Sequence, residues 1–138
     1  MSCVIDASLA LSWFFHDEQT AASMNLLGQV SDNGSFVPAL WRLEVANAFQ
    51  VSIKRGRISH AYRDSSLATL QSLPIEVDSE TEAQAWESTL RIADRFQLTL
   101  YDAAYLELAL RRHLPIATRD DKLADAARAA SLVVIPTT

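Results

Sequence analysis

Leu98-Thr99-Leu100-Tyr101-Asp102-Ala103-Ala104-Tyr105-Leu106 sets one carboxylate at the head of a run that is apolar almost all the way round. Tyr101, Ala104, Tyr105 and Leu108 fall at i, i+3, i+4 and i+7, and Ala103, Leu106 and Leu110 make a second stripe, so the spacing predicts a helix. A helix with two apolar faces belongs inside a protein, and Asp102 is thereby carried to the edge of the core. A charge held there needs a compensating interaction. Locally, Thr99-x-x-Asp102 reads as a capping box, in which the Asp102 carboxylate returns to the Thr99 backbone N–H. Further acids at the ends of apolar segments support a second reading, in which Asp102 belongs to a gathered acidic site.

The flanking chain alternates strands with helices. Residues 1–5 read as a buried strand that ends at Asp6, and residues 7–15 as a helix that Asp6 could equally well cap. Residues 18–30 form a second helix, stopped by Asn33-Gly34, and Phe36-Val37-Pro38 is a brief strand. A third helix over 39–55 is closed by Gly56, and a fourth covers 59–73. Pro74-Ile75-Glu76-Val77 is an edge-like strand, after which Ser79-x-x-Glu82 is a capping box for a fifth helix reaching about Phe96. Beyond the Asp102 helix, residues 115–117 form a buried strand that ends in Thr118-Arg119-Asp120-Asp121. Thr118-x-x-Asp121 reads as a further capping box, which leaves Asp120 free to face a site, with Asp121 its substitute if the register slips by one. Residues 122–130 are the last helix and 132–135 the last strand. Such alternation predicts a three-layer α/β/α sandwich around a central, mainly parallel sheet of about five short strands.

Composition narrows the classes. A chain of 138 residues suits a single domain over 1–138, and an apolar fraction of 49% is ample for one core. Only three Gly and four Pro argue against a linker. No apolar run approaches the ~20 residues of a membrane span, so a soluble, cytoplasmic protein without membrane contact is expected. Cys3, the only cysteine, lies in an apolar run and is assigned to packing. A net charge of −5 argues against a protein that coats nucleic acid generally, though not against a nuclease whose acids are gathered in one place.

Tyr101-Asp102-Ala103-Ala104-Tyr105, followed by Pro115-Ile116-Ala117-Thr118-Arg119-Asp120, resembles the C-terminal half of the PIN-domain family. Val4-Ile5-Asp6-Ala7-Ser8 resembles that family's first strand and first acid, and Glu44 in Trp41-Arg42-Leu43-Glu44-Val45-Ala46-Asn47 looks like its second. Among PIN domains, a compact chain of this kind is most similar to the VapC toxins of bacterial and archaeal toxin–antitoxin pairs. The resemblance implies a metal-dependent endoribonuclease that hydrolyses RNA phosphodiesters with metal-activated water. It also implies a homodimer and a cognate antitoxin lying over the acids. By the same resemblance Asp6, Glu44, Asp102 and Asp120 are the catalytic and metal-binding set.

The chemistry is consistent with that expectation. In an open parallel sheet the strand C-termini share one edge, where ligands bind. Asp6 and Asp120 reach that edge from strands, Asp102 from a helix N-terminus, and Glu44 from a neighbouring helix. Carboxylates crowded together either gain protons or hold a cation, and an all-oxygen set selects Mg²⁺ or Mn²⁺, one ion or two. Ser8 and Thr118 are placed to orient an acid or bond a ligand, and Asn47, one turn beyond Glu44, could do the same. Arg42, Arg119 and Lys122 adjoin the acids and are candidate RNA phosphate contacts; Lys54, Arg55, Arg57, Arg111 and Arg112 are an outer set. Trp13, Trp41 and Tyr101 could stack on bases but are assigned to the core.

Other classes lack their signatures. A receiver domain needs an acid pair after the first strand, a serine hydrolase a G-x-S-x-G elbow, and a dinucleotide binder a glycine-rich first turn. Asp6-Ala7-Ser8 supplies none of these. The remaining rival is a PIN domain without activity that serves as a partner-binding module.

Overall fold

The computed structural model describes residues 1–138. Its sheet has four strands: β1 (Val4–Ile5), β2 (Ser35–Val37), β3 (Ile75–Val77) and β4 (Ile116–Ala117). They lie in the order β3-β2-β1-β4, and every pairing is parallel. Between them run α1 (Ala7–Ser12), α2 (Ala21–Asn33), α3 (Trp41–Lys54), α4 (His60–Ser72), α5 (Thr81–Gln84), α6 (Ser88–Phe96), α7 (Leu100–Arg112) and α8 (Asp121–Ala129). The chain reverses its direction across the sheet after β3, so the right-handed rule for parallel crossovers puts α1–α4 over one face and α5–α8 over the other. The result is the expected three-layer α/β/α sandwich.

Strands β1 and β4 are apolar without alternation because both faces are covered: Val4, Ile5, Ile116 and Ala117 are all fully buried. The α7 run of Ala103 through Ala109 is buried throughout, as its doubled apolar stripe requires. Caps set most helix boundaries. Thr20 and Ser23 form a reciprocal capping box at the start of α2, and Ser59 caps α4. Gly34 and Gly56, at φ 76° and 72°, end α2 and the turn after α3.

Three expectations need correction. The sheet has four strands and not five: residues 132–135 contribute one isolated bridge, Ile116 to Val134, because Ile135 and Val133 bond Ile116 on either side and the chain then leaves. The fifth helix is two. Glu87, at φ −116° and ψ −108°, breaks it between α5 and α6, so that α6 turns onto α7 while Trp86 stands 87% exposed. Ser79 does not cap α5; the Thr81 hydroxyl bonds the Asp78 carboxylate instead.

Candidate active site

The order β3-β2-β1-β4 reverses direction between β1 and β4, and a crevice opens beyond the C-terminal ends of such a pair. Register pairs Ile5 with Ala117, so the residues that follow, Asp6 and Thr118, stand side by side. The Thr118 hydroxyl donates to Asp6 Oδ2 in a short hydrogen bond. Asp6 Oδ1 accepts from the Ser8 hydroxyl at 2.7 Å and from the Leu9 N–H at 3.0 Å. Asp6 is therefore the cap of α1, and the same carboxylate stands at the C-terminal edge of the sheet beside Thr118. Burial pushes its carboxyl up from 3.8 to about 6, against the three donors, and repulsion from Asp120 adds to the rise.

Asp120 caps α8. Its Oδ1 accepts from the Lys122 N–H at 2.9 Å and the Leu123 N–H at 3.1 Å, while its own N–H donates to the Thr118 hydroxyl. The expected Thr118–Asp121 box is thus corrected: Asp120 makes the cap, because Thr118 is bound to Asp6. Asp120 nonetheless stays close enough to repel Asp6 and Asp102, and Asp121 is exposed on the first turn of α8.

Asp102 sits in the first turn of α7, where the helix dipole favours its charged form. Only half of the Thr99 box is present: the Asp102 N–H donates to Thr99 Oγ1 at 3.1 Å, and no return bond to the Thr99 N–H forms. Burial and Asp120 raise the Asp102 carboxyl, and Thr99 and the Lys122 ammonium partly offset this. Glu44, half-buried in the first turn of α3, is raised by burial and by Asp102, while the Tyr105 hydroxyl, donating to its Oε1, pulls it down. Mutual repulsion thus links Asp6 to Asp120, Asp120 to Asp102, and Asp102 to Glu44.

The cations divide sharply. Lys122 reaches Asp102 and is the one basic candidate that belongs to the crevice. Arg119 donates through its guanidinium to the Glu18 carbonyl and through its backbone to the Ser8 hydroxyl, so it buttresses the site from behind. Arg42 is bonded to Gln71 at 2.6 Å on the α4 side. In the outer set, Arg57 pairs with Asp17, Arg112 lies over the Phe36 ring, and Arg111 is engaged by acids of its own. Asn47 is exposed and makes no hydrogen bond to Glu44. Trp13 and Trp41 are buried as expected, but Tyr101 is 65% exposed beside Asp102. Sequence reading missed Tyr105, whose place in an apolar stripe hid a hydroxyl directed at Glu44. The one available signal was that a phenol on a buried face needs a partner.

No set of three or more His, Cys, Asp or Glu side chains already stands in a closed metal-holding arrangement. The donor chemistry fits a hard divalent ion even so. The four acids supply only oxygen, three of them are held away from their ordinary ionisation by burial and repulsion, and the only cation that offsets any of them is Lys122, at Asp102.

A family model described as the PIN domain matches residues 3–129, and the chain belongs to the PIN-domain family. It is 29% identical over 126 residues to proteins named Ribonuclease VapC1 in two strains of Mycobacterium tuberculosis, CDC 1551 / Oshkosh and H37Rv, covering 90% of each chain. Its fold is similar to the crystal structure of PAE2754 from Pyrobaculum aerophilum, with a TM-score of 0.70 over 98% of this chain and 92% of that one, at 22% identity.

Proposed function

We propose that this chain is a VapC-type toxin, a Mg²⁺- or Mn²⁺-dependent endoribonuclease formed by residues 1–138 as a single PIN domain. One observation carries the reading: four acids from the β1–α1 junction, α3, α7 and the β4–α8 junction repel their neighbours at the sheet's switch point, and the only cation among them, Lys122, offsets Asp102 alone. The similarity to proteins named Ribonuclease VapC1 supports RNA as the substrate. Asp6, Glu44, Asp102 and Asp120 would hold the ion. When bound, such an ion supplies an activated water and neutralises charge on the phosphoryl oxygens.

The chain's own residues do the remainder. Thr118 and Ser8 fix the Asp6 carboxylate, and the Leu9 N–H prevents its rotation away. The Arg119 backbone N–H holds the Ser8 hydroxyl, and its guanidinium is anchored on the Glu18 carbonyl. Lys122, exposed at the mouth, takes an RNA phosphate. In the cell, the toxin would act in the cytoplasm as a homodimer, restrained by a cognate antitoxin over the crevice.

The test is direct. Purified protein should cleave structured RNA in Mg²⁺, stop in EDTA, resume in Mn²⁺, and be inactive as Asp6→Ala. Cleavage that persists in EDTA, or in the Asp6→Ala protein, rejects the reading.

A further inference from the structure

The four crevice acids are not held alike. Asp6 is gripped by two hydroxyls and a backbone N–H, all within β1–α1 and the β4–α8 junction. Asp120 is gripped by two backbone N–H groups of its own helix. Their orientation is therefore built into the segments that carry them. Glu44 has a longer side chain, and its carboxylate has a single protein partner, the Tyr105 hydroxyl on Oε1. That bond joins residues 61 apart in sequence and ties α3, in one helical layer, to α7 in the other. Tyr105 itself is 1% exposed, so its ring is fixed by the core before its hydroxyl meets Glu44. A free glutamate would sample several rotamers, and each binding event would have to order it again.

We propose that Tyr105 is a positioning residue for hydrolysis: it clamps Glu44 by one carboxylate oxygen and leaves the other for the divalent ion beside Asp102. The inference rests on the reading of the crevice as a divalent-metal nuclease site. A buried phenol needs only some acceptor, and a backbone carbonyl would satisfy it. Here it donates instead to a Glu44 carboxylate that has no other protein partner.

Mn²⁺ binding to the full chain, measured by calorimetry and by the paramagnetic resonance of the free ion, separates the possibilities. Tyr105→Phe keeps the ring and removes the hydroxyl. It should weaken Mn²⁺ binding about tenfold, as loss of a partner behind a metal ligand typically does, and lower kcat on RNA by a similar factor. KM for RNA should change by less than about twofold, because the hydroxyl touches no substrate. On a Glu44→Ala background the same substitution should cost nothing further, since Tyr105 acts only through Glu44. Glu44→Asp, too short to reach the phenol, should bind Mn²⁺ as weakly as Glu44→Ala despite its charge, and it tests the clamp without disturbing α7.

If wild type takes up no Mn²⁺, the nuclease reading falls and takes the inference with it. If wild type binds while Tyr105→Phe or Glu44→Asp binds equally well, the inference alone is overturned. It is also overturned if Tyr105→Phe weakens binding just as much in the Glu44→Ala protein, which is the signature of a purely structural role.

Discussion

This molecule has two crowded groups of carboxylates, and only one has a cation built into it. On the α7 face toward β3, Arg111 donates to both oxygens of Asp78 (3.0 and 2.7 Å), to both of Glu107 (2.9 and 2.8 Å) and to Glu80 at 3.2 Å. The Asp78 side chain is fully buried and that of Glu107 nearly so. Burial alone would raise Asp78, yet the Arg111 bonds and charge outweigh it and hold the carboxyl below its ordinary value. Glu107 and Asp78 in turn push the guanidinium up. Every strong charge there finds its partner inside the chain. In the crevice the balance is reversed: Asp6, Glu44 and Asp102 are all raised, and Lys122 alone lies within reach of one of them. A compensated acid cluster serves the fold, whereas an uncompensated one at a sheet edge is a candidate functional site.

The contrast can be broken or sharpened by experiment. Arg111→Met leaves two buried carboxylates without a counter-charge and should cost about 3–5 kcal/mol of unfolding free energy, read from urea denaturation. RNA cleavage by the folded fraction should be unchanged. Asp102→Asn should do the opposite: kcat falls by about a hundred- to a thousandfold, while the metal-free protein is no less stable, because a repelling charge has gone. Comparable stability losses in both variants would erase the distinction.

Next in size is a pH effect of opposite sign in the two clusters. Asp6 is raised to about 6 in the folded chain from 3.8, so its contribution is complete below about pH 4 and is lost as pH rises through 6. Denaturation in EDTA should show on the order of 3 kcal/mol lost across that window, and Asp6→Asn should flatten the slope. Asp78, held low, contributes above its unfolded value and loses that contribution as pH falls, so Arg111→Met should remove the acid-side decline. The smallest expected change is in Lys122→Ala, where KM for RNA rises by about threefold or less and more so at low salt, as for one exposed phosphate contact.

Much of this was legible in local pattern. The doubled stripe around Asp102 announced a buried helix, the strand-then-acid junctions at Asp6 and Asp120 announced a parallel-sheet edge, and the caps at Ser59 and Gly56 lie where their residue types predict. The fifth helix breaks at Glu87, where no Gly or Pro gives warning, because α6 must turn to lie on α7. Residues 132–135 have the composition of a strand but make one bridge. At Glu87 a tertiary contact, rather than local propensity, decided the outcome. The same holds for Thr118, which looked like a helix cap until Asp6, 112 residues away, claimed its hydroxyl.

Sequence by itself therefore determined which residues are acids, which segments could be strands or buried helices, and the family resemblance that joined them. Tertiary structure alone decided who meets whom across the fold: that Arg111 belongs to Asp78, that Arg42 faces Gln71, and that Tyr105 meets Glu44. The physical reason is range. Helix and strand periodicity are set by neighbours a few residues apart, but a charge is satisfied by whatever the fold brings within a few ångströms, however far along the chain it began.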